Sequence, residues 1–275
     1  MAGKKALCVG INKFEKYPQF ALNGCVNDAK DMAAFLKEIL GFKNSEVSVL
    51  TDAQATKVNI MTKLKSMVDE AKAGKLDYIV FSLSSHGTQM PDTSGDESDN
   101  VDEAFVPYDI AQKGNEWHPA HIISDDELNE LFSQLPDTVL LEAFLDTCHS
   151  GTGFKDPFSP YQPRPRFIPP PSHKPFEKIA KAKGKVLKRV ADGVTTKHHV
   201  LWTGCRADQT SADAYFDGRY SGAFTYFFLK NVRAGKNKLT RAELRKNMLA
   251  DMKGKFEQIP QLELDATNRK KTIAG

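Results

Sequence analysis

Arginine is missing from the first 163 residues of this 275-residue chain, although lysine is plentiful there. A pocket that holds an anionic side chain needs guanidinium forks, and this longer, amino-terminal part has none to offer. Cysteine is scarce as well. Cys8, Cys25, Cys148 and Cys205 lie far apart with no Cys-x-x-Cys pair, which argues against a zinc knuckle and a disulfide framework. Reduced thiols are the default for such a chain. Long apolar runs are also lacking: residues 6–11 are too short a run for a signal peptide, and nothing approaches the length of a membrane span. There is no internal repeat. A net charge of +3 does not by itself predict a nucleic-acid partner. Together these absences predict a soluble, cytoplasmic protein with neither membrane nor nucleic acid as partner; a monomer is the default expectation.

What is present is enough apolar sequence, 40% of the chain, for one sizeable core with a long insertion. Residues 6–11 read as a short buried strand. Residues 29–40 read as a helix with Met32, Phe35, Leu36, Ile39 and Leu40 on one face and Gly41 as its stop. A strand at 47–50, a helix at 56–72 and a strand at 78–83 follow. Ser124-Asp-Asp-Glu127 is a capping box that opens a helix running to Leu135, before a strand at 139–145. The last part predicts a strand at 198–202, an aromatic-rich helix at 222–232, a second capping box at Thr240–Glu243 and an edge strand at 261–264. This alternation predicts an α/β fold with a mostly parallel central sheet of about six strands and helices on both faces. Cys8 and Cys205 read as structural, and Trp202, Phe224, Tyr226, Phe227 and Phe228 as core.

Two of these strands end in polar turns. The strand at 78–83 runs into Ser84-Ser85-His86-Gly87, and that at 139–145 into Asp146-Thr147-Cys148-His149-Ser150-Gly151. Strand ends of open α/β sheets are where ligands bind. A thiol and an imidazole on two such ends are the parts of a cysteine nucleophile with its base. The bland alternative is that Cys148 is simply buried, where most free cysteines sit. Against it, a run this polar makes a poor core. His149 competes for the role of base, but neighbours along an extended chain point to opposite faces, which favours His86. The backbone N–H groups of Gly87 and Cys148 are the natural donors to a developing oxyanion.

Four stretches together, Gly24-Cys-Val-Asn-Asp28, Ser84–Gly87, Asp146–Gly151 and Thr203-Gly-Cys-Arg-Ala-Asp-Gln-Thr-Ser-Ala-Asp213, resemble the metacaspases, the arginine/lysine-specific branch of the caspase-like cysteine peptidases. The resemblance covers nearly the whole chain and implies one caspase-like domain over 1–275. Residues 1–153 would be its large-subunit part, 154–197 a basic linker and 198–275 its small-subunit part, in the compact prokaryotic or type I arrangement without a prodomain. It implies an endopeptidase that cuts after Arg or Lys, with Cys148 as nucleophile and His86 as acid/base. Asp28 and Asp146 match the acidic residues of the family's substrate pocket, with Cys25 and Ser84 completing the wall. Carboxylates select a cation, Arg better than Lys. Asp28 read alone could equally cap a helix.

The resemblance further implies activation by Ca²⁺ bound through carboxylates, with Asp102, Asp125 and Asp126 as ligands and Asp99 and Asp156 as further candidates. A solvated acidic loop and ordinary helix-start acids are the competing readings. Between Lys155 and Lys197 lie 11 Lys and Arg against 3 Asp and Glu, and eight of the 14 prolines fall between Pro157 and Pro175. This stretch reads as an exposed linker. In an enzyme specific for Arg and Lys, as the resemblance implies, Arg164, Arg166, Lys188 and Arg189 are then candidate sites of self-cleavage. Two rivals stay open on the same residues. One is a catalytically silent scaffold or interaction module, the other a peptide ligase.

Overall fold

The structure is a computed structural model, and it describes residues 3–91, 101–148, 163–172, 199–206 and 209–275. In chain order the first elements are β1 (Gly3–Gly10), α1 (Cys25–Glu38), β2 (Val47–Thr51), α2 (Lys57–Lys72) and β3 (Leu76–Ser84). Next come β4 (Gly87–Pro91), β5 (Val101–Phe105), β6 (Gln112–Lys113), β7 (Glu116–Trp117), β8 (Ile123–Ser124), α3 (Asp125–Phe132) and β9 (Leu140–Asp146). The remainder contributes β10 (Arg164–Pro165), β11 (His199–Thr203), β12 (Ala212–Phe216) and β13 (Arg219–Gly222). It ends with α4 (Ala223–Ala234), α5 (Arg241–Met252), β14 (Gln261–Glu263) and α6 (Ala266–Arg269).

Six strands form the central sheet in the order β14-β11-β9-β3-β1-β2. All neighbours are parallel except β14, which runs antiparallel to β11 at one edge. Strand alternation loads both faces. In β1, Leu7 and Val9 point into a core shared with Ile60, Leu64 and Val68 of α2 and Leu128 and Phe132 of α3. Ala6 and Cys8 point the other way, toward Met32, Phe35 and Leu36 of α1 and Phe224 and Phe228 of α4. The second core also contains a charge. Fully buried Glu142 of β9 accepts from Tyr78 Oη, Trp202 Nε1 and Arg241 Nε and Nη2, which ties α5 to the middle of the sheet. Such a pair is tolerable in a core because its hydrogen bonds are satisfied.

The order of the sheet locates the site. From β1 the chain moves to β2 on one side, and then returns past β1 to β3, β9 and β11 on the other. The carboxyl ends of β1 and β3 therefore flank the point where the winding reverses, the crevice in which open α/β sheets bind ligands. No described helix is long and apolar enough to cross a membrane.

Two features depart from the sequence-based expectation. Helix α1 starts at Cys25 with Gly24 as its N-cap, so Asp28 sits inside the first turns and does not cap the helix. The described part of the basic segment, residues 163–172, is not an exposed linker. Its β10 adds antiparallel to β12, Phe167 is 7% exposed, and Arg166 and Ile168 are wholly buried. Proline lacks a backbone donor and is confined to sheet edges, and Pro165 lies in just such an added strand.

Candidate active site

Strands β3 and β9 lie side by side in register, with Ser84 opposite Asp146. The turns that follow them deliver His86 and Cys148 to the same end of the sheet, and both residues are buried. His86 is wedged between two rings, Phe14 at 5.1 Å and Phe20 at 6.3 Å between centroids. Its Nε2 lies 2.7 Å from the Phe20 carbonyl oxygen, which can only accept. Nε2 therefore carries the hydrogen, and Nδ1 of the neutral ring presents a lone pair. Among the described residues Nδ1 has no hydrogen-bond partner. Burial lowers the His86 pKa to about 4, with the nearby Arg166 charge acting in the same direction. The ring is neutral at pH 7 and able to accept a proton.

The Cys148 thiol lies against the backbone of Ser211. It is 3.3 Å from the Ser211 carbonyl oxygen and also takes a short contact from the Ser211 N–H. That same carbonyl accepts the N–H of Arg166 at 3.1 Å. The Arg166 carbonyl in turn accepts from Gly87 N at 2.9 Å and Cys148 N at 3.2 Å. Two N–H groups converging on one carbonyl oxygen beside a thiol and an imidazole is the geometry that polarises a carbonyl for attack.

The Arg166 side chain fills a pocket of carboxylates. Nη2 donates to Asp28 Oδ2 at 2.7 Å and Asp213 Oδ1 at 3.1 Å. Nη1 donates to Ser84 Oγ at 2.6 Å and lies 3.1 Å from Asp146 Oδ2. Each carboxylate is also held from behind. Asp28 accepts from Ser221 Oγ and Gly222 N, Asp146 from Ser211 Oγ and Thr225 Oγ1, and Asp213 from the N–H groups of Asn23 and Gly24. The pocket is thus built independently of the cation inside it. Gly222 is required in its wall, since a Cβ there would overlap Asp146 Oδ2 and Arg166 Nη1. Burial pushes Asp146 and Asp213 above their ordinary pKa, and Arg166 partly reverses this in both. Three carboxylic acids surround this one guanidinium.

Of the residues singled out in the sequence, the structure therefore brings together Cys148, His86, Gly87, Asp28, Asp146 and Ser84. Cys25, buried at the start of α1, stands close enough for the Arg166 charge to act on its thiol. Arg166 sits inside this pocket rather than on a solvent-exposed linker, because its guanidinium finds three acids there. Arg164 is exposed and bonds the Ala21 carbonyl. His149, Asp99, Asp156, Lys188 and Arg189 lie outside the described residues. Asp213 belongs to the pocket but not to the residues that the sequence singles out, although it ends the motif Thr203–Asp213. The i, i+2 spacing of Ser211 and Asp213 in an extended stretch was the available signal, since it puts both on one side.

The acidic candidates lie apart from this pocket. Asp102 is on β5, paired with Met90 of β4, and Asp125 and Asp126 open α3 after the Ser124 N-cap. Burial, then Asp126 and Asp102, raise the Asp125 pKa to about 7. Among the described residues no three His, Cys, Asp or Glu side chains are arranged as a complete metal site. The donor set is nevertheless all carboxylate, which suits a hard cation.

Comparison with known proteins matches residues 4–157 to the family model for the metacaspase, peptidase C14 domain. Metacaspase-1B of Aspergillus oryzae is 30% identical over 94% of this chain and 67% of its own length. Metacaspase-1 of Scheffersomyces stipitis is 32% identical over 94% of this chain and 70% of its own length. Among solved structures, protein GSU0716 from Geobacter sulfurreducens aligns with a TM-score of 0.67 at 27% identity, covering 98% of this chain and 97% of the other. Caspase-1 from Spodoptera frugiperda aligns with a TM-score of 0.61 at 13% identity, over 96% and 86% of the two chains, a likeness of fold.

Proposed function

This chain belongs to the metacaspase family, with the caspase-like α/β fold of cysteine peptidases that act on polypeptides, and from that premise we propose that it is an endopeptidase cutting after arginine, and less well after lysine. The single observation that carries the reading is the seating of Arg166. Its side chain lies among Asp28, Asp146 and Asp213 while its own carbonyl meets the Gly87 and Cys148 N–H groups. The chain binds itself as an arginyl substrate would. Cys148 then attacks the carbonyl carbon, neutral His86 takes the thiol proton and later gives it to the leaving amine, and the two N–H groups hold the oxyanion. The same geometry favours Arg166–Phe167 as the bond of self-cleavage over the exposed Arg164.

A panel of fluorogenic peptides differing only in the residue before the cut tests this. Arginine should exceed lysine, and both should exceed alanine and aspartate by at least about 100-fold, since a cation-holding site rejects side chains that leave its acids unpaired. Equal turnover of the aspartate peptide would remove the arginine reading.

Calcium activation fits the acid cluster through its position. Asp102 sits on the β4–β5–β8 sheet whose first residue is Gly87, and β5 pairs with the Ser124 cap of α3. Asp102, Asp125 and Asp126 would hold the ion, with Asp99 as a further ligand, and would brace the strand that presents the Gly87 N–H. A bound cation supplies the charge that lets all these carboxylates ionise together. The Asp125 pKa of about 7 exceeds its unfolded value, so the folded chain retains a proton that the unfolded chain releases. Without calcium, stability should fall as pH rises from about 4 to 7. Asp125→Asn should therefore raise stability at pH 8 in chelator, by on the order of 4 kcal/mol at most, seen as a higher melting temperature, and make the protein less responsive to added calcium. Calorimetric melts of both proteins at pH 5 and pH 8 read this out without any assay of activity. A wild-type melt indifferent to calcium would end the calcium reading.

A further inference from the structure

The residues on the carboxyl side of the Arg166–Phe167 bond are held as firmly as Arg166 itself. Ile168 N donates to the Gly87 carbonyl at 3.0 Å, and Phe167 forms a parallel bridge with Gly87. The Ile168 side chain is wholly buried in the main core with Val106 and Ile110, and Phe167 packs in a cluster with Cys148 and Cys205. Farther along, Pro170, Pro171 and Ser172 line a small cavity with Met90 and Trp117. An ordinary leaving group diffuses off after acylation. This one is anchored to the core by the residue next to it.

We propose that residues 163–168 are a resident plug whose Arg166–Phe167 bond the enzyme opens and reseals, so that cut and uncut chains interconvert in place. The proposal rests on the arginine-specific reading above and adds a mode of regulation to it. In the forward step the Cys148 sulfur bonds the Arg166 carbonyl carbon, the bond to the Phe167 nitrogen breaks, and His86 passes the thiol proton to that nitrogen. Resealing is the reverse: the Phe167 amine attacks the thioester, its proton returns through His86 to sulfur, and the peptide bond re-forms. In competition, water attacks the thioester, leaving a carboxylate on Arg166 and a free amine on Phe167. That carboxylate and amine remain side by side, so the acyl-enzyme can be remade with loss of water.

Two kinds of restraint favour resealing. Arg166 stays seated by its ion pairs and by the strand pairing of Arg164 with Asp213. Both new ends are also covalently tethered to the folded chain, which raises their effective concentration to about millimolar or beyond, and good alignment raises it much further. A cut that leaves both ends in place leaves the pocket blocked. Cleavage alone would not admit another substrate; release of the Ile168 anchor would.

The test is incubation of the purified full chain with calcium in oxygen-18 water. A glutamate-specific protease then releases the peptide between Glu142 and Glu177 with the 166–167 bond intact wherever it is uncut. The proposal expects the cut fraction to reach a plateau, and the uncut peptide to acquire one heavy oxygen at Arg166 with time. Cys148→Ala should show neither cut nor label. Ile168→Ser should drive the cut toward completion and raise turnover of a separate arginyl peptide by about tenfold or more. Cutting of the wild-type chain that runs to completion overturns the proposal, as does an intact fraction that stays unlabelled beside a growing cut fraction, or full peptide turnover by an unlabelled, uncut chain. In each case hydrolysis of the arginyl peptide leaves the arginine reading standing. A chain that neither cuts itself nor hydrolyses that peptide overturns both. The oxygen label is read on the wild-type protein, so the test does not depend on the Ile168 variant folding.

Discussion

Cys148→Ala is expected to lower hydrolysis of an arginyl fluorogenic peptide by at least about 10⁴-fold, because removing the nucleophile of a covalent mechanism leaves only oxyanion and binding contributions. Self-cleavage should vanish with it, leaving one uncut chain. The fold should survive: the thiol is a small side chain packed beside Phe167 and Cys205, and no described cysteine is in a disulfide. His86→Ala should act in the same direction, since it removes the imidazole assigned to take the thiol proton. The two variants should not be additive, because nucleophile and base act as one unit. A far-ultraviolet spectrum and a melt matching wild type, with activity gone, would separate the peptidase from a scaffold that merely shares the fold. Retained turnover in Cys148→Ala would mean that the measured activity arises elsewhere.

The sheet was legible in the sequence because its strands are apolar runs and its helices have period and stop signals. Residues 29–40, 56–72 and 78–83 were all read within a few residues of α1, α2 and β3, the largest shift being the start of α1. That shift has a local cause. Cys25, Val26 and Asn27 carry no apolar period, and the helix begins on Gly24, which caps without a side-chain hydrogen bond. Both predicted capping boxes are present, at Ser124 and Thr240. The small sheets were not legible. Strands of two to five residues that pair across long separations, such as β10 with β12, leave almost no periodic trace.

The site was half legible for a similar reason. Cys148, His86, Asp28 and Asp146 lie in short polar motifs at strand or helix ends, where their chemistry stands out. Asp213 lies in the middle strand of the small sheet β10-β12-β13, and its role depends on Asn23, Gly24 and Arg166, residues that only the folded chain brings near. The composition of 163–172 pointed the wrong way altogether. Proline and arginine usually mark solvent, but the arginine at 166 is matched by buried acids contributed from α1, β9 and β12.

Those acids set the second large effect. Arg166→Ala removes the only cation that the described residues place among Asp28, Asp146 and Asp213, all of them buried. Breaking a buried ion pair from one side costs roughly 3–5 kcal/mol, because the abandoned charges lose their compensation without regaining full hydration. For a chain of this size that corresponds to a fall in melting temperature of roughly 5–9 °C at pH 7 to 8. The deficit should shrink as pH falls, since Asp146 and Asp213 already have raised pKa values and take up protons once the guanidinium is gone. It should also shrink on adding a small guanidinium compound such as agmatine, which can enter the emptied pocket from solvent and stabilises by binding the folded state alone. The same variant loses the 166–167 cut while an arginyl peptide gains access, so turnover in trans should rise as stability falls. Arg166→Lys should lie between, holding one or two acids by a point charge but unable to span Asp28, Ser84, Asp146 and Asp213 with a planar fork. Melting curves of the three proteins with and without agmatine decide it: an Arg166→Ala protein as stable as wild type and indifferent to agmatine would mean that the acids do not form a cation pocket.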